Sequence, residues 1–117
     1  MTEIKRISPG QRMSQAVVHG NLVFLAGQVA QRAAGAPVAE QTKDILARID
    51  ELLAEAGSDK TKLLSATIWL TDIATYNEMN ELWDAWVAPG AAPARACVEA
   101  RLAAPQFTVE IAVVAAR

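Results

Sequence analysis

The chain has 117 residues, 52% of them hydrophobic, and a formal net charge of −2. This length is typical of one domain, and this apolar content is enough for a buried core, which excludes wholesale disorder. The slightly acidic charge argues against the basic surface that nucleic acids or anionic membranes attract. We therefore expect residues 1–117 to form a single domain, without a nucleic-acid or membrane partner.

Cysteine content and the N-terminal sequence indicate the compartment. Cys97 is the only cysteine and His19 the only histidine, so an internal disulfide is impossible. A metal site would need mostly carboxylate ligands, and we expect neither a metal nor another cofactor. Residues 1–7 lack the apolar segment of a signal peptide, and no apolar run is long enough to span a bilayer. The expected location is the cytoplasm.

Three strands are predicted at the start of the chain. Residues 3–7 alternate between polar and apolar side chains, as in a half-buried strand. Residues 15–19 and 22–26 are two apolar runs on either side of Gly20-Asn21. A dipeptide of this kind is typical of hairpin turns, so we expect these two runs to pair.

The first helix is predicted to follow a loop. Residues 30–36 form this loop, and Pro37 comes after it, where a helix tolerates proline. Residues 38–56 show helical periodicity, and Gly57 is a candidate to end the helix. Apolar residues at three- and four-residue spacings form one stripe along it: Ile45, Leu46, Ile49, Leu52 and Leu53.

The next predicted strand, residues 62–71, has two different faces. One face is apolar and carries Leu64, Ala66, Ile68 and Leu70. The other face carries Ser65, Thr67, Trp69 and Thr71. Because this second face is largely polar, we do not expect helices to cover it and exclude water from it.

A second helix is predicted after Asp72, which can cap its first turn, and it ends before Pro89-Gly90. One side of this helix carries Tyr76, Met79, Asn80, Trp83 and Trp86. Two further strands, residues 94–102 and 108–115, complete the order β-β-β-α-β-α-β-β.

This order predicts an α/β fold with a single mixed sheet. Both helices connect strands of that sheet, and the handedness of crossover connections places both on one face. The opposite face, which includes Trp69, is left without a covering layer. Association with further copies of the chain is an economical way to cover it.

Arg95 is the first candidate for a functional residue. Strand alternation places it on one side together with Cys97, Glu99 and Arg101. A guanidinium group in this apolar stretch suits a substrate carboxylate, which it binds through two parallel hydrogen bonds. From spacing alone, a salt bridge to a protein carboxylate, such as Glu99, Glu110 or another, is the simpler interpretation. The sequence leaves both interpretations open.

Glu110 is the second candidate, because it interrupts the apolar run of residues 109–114. If its neighbours desolvate the carboxyl group, its pKa rises and it becomes suited to acid/base chemistry. On an exposed edge, or beside an arginine, it would have no such role. Cys97 is interpreted as a small buried residue and not as a nucleophile, since His19 beside its turn offers no convincing base.

Several segments resemble the RidA (YjgF-type) family of imine/enamine deaminases. Residues 93–98, Pro-Ala-Arg-Ala-Cys-Val, and residues 109–111, Val-Glu-Ile, are similar to its C-terminal signature. Residues 26–28, Ala-Gly-Gln, resemble its small-Gly-Gln motif, and residues 72–86 resemble its second helix. The Trp-Asp-Ala-Trp of residues 83–86 is nearest to the short YoaB-like branch.

This resemblance implies a chorismate-mutase-like fold and a homotrimer. The sheets would pack inside the trimer, the helices would lie outside, and three sites would lie in clefts between subunits. The implied reaction is the hydrolysis of reactive 2-imino or enamine acids, such as 2-aminoacrylate and its imine. The products are 2-keto acids and ammonia, and no cofactor is needed.

The resemblance also implies residue roles. Arg95 would bind the substrate carboxylate, assisted by the backbone N–H of Cys97. Glu110 would orient and deprotonate the attacking water. Gly27 would permit close backbone approach, and Asn80 would support the wall of the site.

Two substrate-binding positions depart from the family pattern. Met13, or Arg12 after a one-residue shift, stands where the family commonly has tyrosine, and Ala26 replaces a small hydroxyl residue. Each lost hydrogen bond could cost about 1–3 kcal/mol. With Arg95 intact, these departures keep an alternative to the deaminase open, a non-catalytic trimeric protein that binds small carboxylic (2-keto) acids. A chaperone-like or translation-inhibiting role, sometimes ascribed to the family, has no supporting feature here.

Overall fold

The structure is a computed structural model and describes residues 3–117. Its strands and helices are β1 (Ile4–Pro9), β2 (Ser14–His19), β3 (Leu22–Leu25), β4 (Gln28–Val29), α1 (Val38–Glu55), β5 (Leu63–Leu70), α2 (Tyr76–Trp86), β6 (Ala94–Glu99) and β7 (Val109–Ala116). The predicted order is confirmed apart from β4, whose two residues are too few to show a periodic pattern.

The strands form one mixed sheet in the order β1-β2-β3-β7-β5-β6, and β4 also pairs with β7. Among the strands of residues 3–117, β5 and β6 are the only parallel pair, because α2 returns the chain to the end of the sheet where β5 began. The other pairs are antiparallel. Both helices pack on one face of this sheet and bury the core there, so the predicted fold class is confirmed.

Helix α1 follows its sequence pattern closely. Its predicted apolar stripe is buried: Ile45, Leu46, Ile49, Leu52 and Leu53. Pro37 stands directly before the first turn. Gly57 follows the last turn with φ of 80°, the left-handed conformation that commonly ends a helix.

One predicted face of β5 is wrong at its first residue. The pairing of β5 with β7 shifts between Leu63 and Ser65, which is a bulge. Such a bulge offsets the alternation of side chains by one residue. Leu63 is therefore buried, whereas Leu64, predicted for the core, is 47% exposed. Beyond the bulge the predicted core positions are buried: Ala66, Ile68 and Leu70.

Two boundaries near α2 also differ from the prediction. Asp72 accepts a hydrogen bond from the N–H of Ala74, so it caps a short 3-10 turn that precedes α2. Strand β6 ends at Glu99, and Arg101 and Leu102 therefore lie in the following loop. The shortening has a simple cause, since the neighbouring strand β5 ends at Leu70.

The face of the sheet opposite the helices, here called the open face, has no covering layer within the described chain. Phe24 and Val98 are 43% and 46% exposed there, and Trp69 is half-buried. Its association with further copies remains a prediction. Neither helix in residues 3–117 is both long and apolar enough to cross a membrane.

Candidate functional site

Glu110 lies in β7 between two buried residues, Val109 and Ile111. Because side chains alternate along a strand, Glu110 points to the open face, where Trp69 is its neighbour in β5. The side chain is half-buried. The register of β7 against β5 therefore sets the position of this carboxyl group.

The Glu110 carboxyl group packs directly against the backbone of Gly27. A Cβ atom added at residue 27 would lie 2.9 Å from the carboxyl carbon of Glu110, closer than side chains normally approach. Only glycine leaves this space free. Within the described chain the group that approaches the Gly27 backbone is Glu110, and the close approach of a substrate to Gly27 stays a prediction.

A cleft of about 500 Å³ opens beside this pair. Its walls include Met13, Gln15, Gly27, Arg48, Phe107 and Glu110. Burial in these surroundings raises the pKa of Glu110 above its ordinary value of 4.5. Within residues 3–117 no arginine or lysine forms an ion pair with Glu110, and Arg48 is instead paired with Glu51 at 3.1 Å. Glu110 is therefore partly desolvated, and no ion pair within residues 3–117 compensates for this.

The two positions that depart from the family pattern lie near this cleft. Met13 lines it, whereas Arg12 lines only a neighbouring depression, which favours Met13 over Arg12 as the tyrosine equivalent. Ala26 directly precedes Gly27, and its N–H donates to the backbone oxygen of Gln15 at 2.9 Å. Neither Met13 nor Ala26 offers a hydroxyl group to a ligand.

A pair of glutamines lies at the same cleft, and the sequence did not predict it, although Gln28 belongs to the motif of residues 26–28. Gln28 is buried, and its Nε2 donates to Oε1 of Gln15 and to the backbone oxygen of Ala26, both at 3.0 Å. The available signal was the polar Gln28 between apolar residues, because a buried amide requires partners. Nothing local in the sequence indicated Gln15, thirteen residues earlier, as that partner.

Arg95 lies on the other face of the sheet. Strand β6 places it beside the buried Ala66 of β5, so it points toward α2. Its Nη1 donates to Oδ1 of Asn80 at 2.8 Å, and its Nη2 donates to the Tyr76 hydroxyl at 2.9 Å. The guanidinium carbon lies 5.3 Å from the ring centroid of Trp83. These three partners share one side of α2, at spacings of four and three residues.

All of these partners are uncharged. The salt bridge from Arg95 to Glu99 or Glu110, left open by the sequence, is not found within residues 3–117. Glu99 instead accepts a hydrogen bond from the N–H of Ile73. The guanidinium group is therefore held in place by neutral oxygens and an aromatic ring, and its positive charge lacks a carboxylate partner in the described chain.

Cys97 lies on the same side of β6 as Arg95 and is half-buried. Burial raises the pKa of its thiol, which disfavours the reactive thiolate. The N–H of Ala100 donates to Leu70 of β5, and alternate residues turn their N–H groups to opposite sides. The backbone N–H of Cys97 therefore points to the free edge of the sheet, where a ligand can reach it.

The structure thus divides the predicted site residues into two groups. Met13, Gly27 and Glu110 lie together at the cleft on the open face. Arg95 lies with Asn80 on the helix face. One copy of the chain does not bring the two groups together. In residues 3–117 no three His, Cys, Asp or Glu side chains are grouped closely enough to hold a metal ion.

Comparisons with known proteins agree along the whole described chain. A protein-family model described as endoribonuclease L-PSP matches residues 3–117. A RutC family protein from Haemophilus influenzae is 45% identical over 112 residues, covering 96% of this chain and 97% of that protein. RutC family protein YoaB from Escherichia coli is 43% identical over 113 residues, covering 97% of each chain.

A solved structure gives the same picture. The crystal structure of a YjgF family member from Neisseria meningitidis is 50% identical, with a TM-score of 0.95, and the match covers 98% of this chain and 95% of that one. A more distant relative, Reactive Intermediate Deaminase A of Arabidopsis thaliana chloroplasts, is 29% identical over 107 residues, covering 87% of this chain and 57% of that protein.

Proposed function

The chain belongs to the endoribonuclease L-PSP family, which includes the RutC and YjgF proteins, and it lies near YoaB. From this premise we propose that it hydrolyses reactive 2-imino and enamine acids of the 2-aminoacrylate type to 2-keto acids and ammonia. The observation that carries the proposal is the desolvated Glu110 carboxyl group, packed on Gly27 at an open cleft. The name of the Arabidopsis relative supports the same chemistry.

Glu110 acts as the general base. A raised pKa makes its carboxylate a stronger base than an exposed glutamate, and this suits proton abstraction from water. The water oxygen bonds to the imine carbon, the C=N electron pair moves to nitrogen, and nitrogen takes up a proton. The hydroxyl proton of the resulting carbinolamine then passes to its nitrogen, which leaves as ammonia and gives the 2-keto acid. One water is consumed for each ammonia released, so no redox cofactor is required.

Arg95 binds the substrate carboxylate. Its charge lacks a carboxylate partner within residues 3–117, while Asn80 and Tyr76 fix the orientation of the guanidinium plane. An anion that reaches this group therefore gains charge-assisted hydrogen bonds without having to displace an ion pair. The edge-facing N–H of Cys97 supplies one further donor along the same strand.

The complete site lies between copies of the chain. Arg95 and Glu110 occupy opposite faces of the sheet, so we propose that one copy supplies Arg95 and its neighbour supplies Glu110. Packing of the open faces inside a homotrimer would create three such sites. The exposed Phe24 and Val98 would be covered by the same packing.

A second candidate function is the binding of small carboxylic (2-keto) acids without catalytic turnover. The observation that favours it is the absence of hydroxyl groups at Met13 and Ala26, beside the cleft. Both candidates require Arg95, but only hydrolysis requires the base. Glu110→Gln therefore separates them, because this variant keeps the shape of the side chain and cannot accept the proton.

The test generates imino acids in situ with an amino-acid oxidase and follows their capture by semicarbazide. We expect the wild type to suppress semicarbazone formation, and Arg95→Ala and Glu110→Gln to lose that effect. Arg32→Ala and Glu55→Gln are matched controls at exposed positions and should behave as wild type. A wild type that is inactive on small, branched and aromatic imino acids would exclude the deaminase. RNA cleavage that disappears in Glu110→Gln would instead support the endoribonuclease named by the family model.

A further inference from the structure

The cleft beside Glu110 contains a hydrogen-bond donor that the proposed mechanism leaves unused. The contacts of the Gln28 side-chain amide identify this donor. The Nε2 of Gln28 lies 3.0 Å from the backbone oxygen of Ala26, and a carbonyl oxygen can only accept a hydrogen bond. The nitrogen and the oxygen of the Gln28 amide are therefore distinguished by this contact.

The same contact sets the orientation of Gln15. The second N–H of Gln28 Nε2 points to Oε1 of Gln15 at 3.0 Å. An amide that accepts through its oxygen on one side turns its NH₂ group to the other side. Gln15 thus directs its donor away from Gln28, and within residues 3–117 this NH₂ group has no acceptor.

Gln15, which carries the free NH₂ group, is a wall residue of the Glu110 cleft and of the neighbouring depression beside Arg12. Gln15 lines that cleft together with Met13 and Gly27, and strand alternation places it on the open face, like Glu110. Gln28 is 5% exposed, so the donor side of the bond that orients Gln15 is buried. An oriented donor next to a base is a geometry that recognises an oxygen on a bound ligand.

We propose that Gln15 donates a hydrogen bond to the oxygen on C2 of the ligand, the atom that enters as water and leaves as the keto oxygen. This inference rests on the proposed function, and it names Gln15 as the residue that selects 2-oxygenated acids. Gln15 thereby supplies the polar contact that Met13 and Ala26 do not offer.

The test compares two ligands that differ only at C2, 2-oxobutanoate and butanoate, whose binding is measured by calorimetry. We expect Gln15→Met to weaken 2-oxobutanoate about three- to tenfold, the value of one neutral hydrogen bond, and to leave butanoate unchanged. Gln28→Met should act in the same direction, since it releases the orientation of Gln15. Gln11→Met is the matched control, because Gln11 is exposed and outside the cleft, and neither affinity should change.

Equal weakening of both acids by Gln15→Met would assign Gln15 a purely structural role and overturn the inference, as would no change in either affinity. Thermal unfolding of each variant detects loss of fold separately. The proposed function is assessed independently, because binding of these acids requires no turnover. A wild type without deaminase activity that still shows the ligand-specific effect of Gln15 would refute hydrolysis and support the inference.

Discussion

The surroundings of Arg95 and of Glu110 are built on opposite physical principles. Arg95 is held by two hydrogen bonds and an aromatic ring, all uncharged, so its charge is fixed in place and remains available. Glu110 lies over Gly27 without a charged partner in residues 3–117, and burial alone raises its pKa. The surroundings of Arg95 keep a permanent charge in position, whereas those of Glu110 favour uptake of a proton by the carboxylate. A binding residue needs the former, and a proton acceptor needs the latter.

The largest expected effect tests whether the two regions work from different chains. Arg95→Ala and Glu110→Gln should each be inactive alone, but mixed trimers would contain some sites with both native residues. Random mixing of equal amounts should restore about one quarter of wild-type deaminase activity, because each site draws two residues from two independent chains. The measurement is semicarbazone suppression after joint refolding. Continued inactivity in confirmed mixed trimers would show that one chain supplies both residues.

The next largest effect concerns the contact beneath Glu110. Gly27→Ala should lower the deaminase rate about a hundredfold, because the added Cβ displaces the carboxyl group and small displacements of catalytic groups are costly. Gly10→Ala is the matched control, since its Cβ would meet only the backbone oxygen of Met13 at 3.4 Å. Full activity of Gly27→Ala would mean that the position of Glu110 on this backbone is not important for the reaction.

The corresponding test for the other region gives Arg95 a charged partner. Asn80→Asp places a carboxylate where the Arg95 Nη1 now finds an amide oxygen. We expect binding of 2-oxobutanoate to weaken about tenfold, since the ligand then competes with an internal ion pair. Asn77→Asp adds the same charge at an exposed position of α2 and should change affinity far less. Equal effects of the two variants would indicate only general repulsion of the anion.

The smallest effect is the pH dependence of stability. A carboxyl group whose pKa is raised in the folded state holds its proton more tightly there than in the unfolded chain. Its contribution to stability is therefore fully present below the ordinary glutamate value and is lost as pH rises through the raised pKa. Glu110→Gln lacks this loss, so wild-type stability should fall relative to the variant as pH rises. Urea unfolding of both proteins across this range measures the difference, and parallel pH profiles would contradict it.

Local sequence patterns were sufficient for most of the fold. The apolar stripe of α1 predicted its buried face, because such a stripe depends only on the repeat of a single helix. Local patterns also identified Glu110 as a carboxyl group that its apolar strand neighbours can desolvate. The fold class, inferred from the order of elements, needed only the general rules of strand connection.

Contacts between distant segments were decided by the tertiary structure. The bulge that exposes Leu64 depends on how β5 meets β7, and the neutral partners of Arg95 depend on how α2 crosses β6. The opposite faces of Arg95 and Glu110 follow from the registers of β6 and β7 against β5. A one-residue change in register moves a side chain to the other face, and the sequence of a single strand does not specify that register.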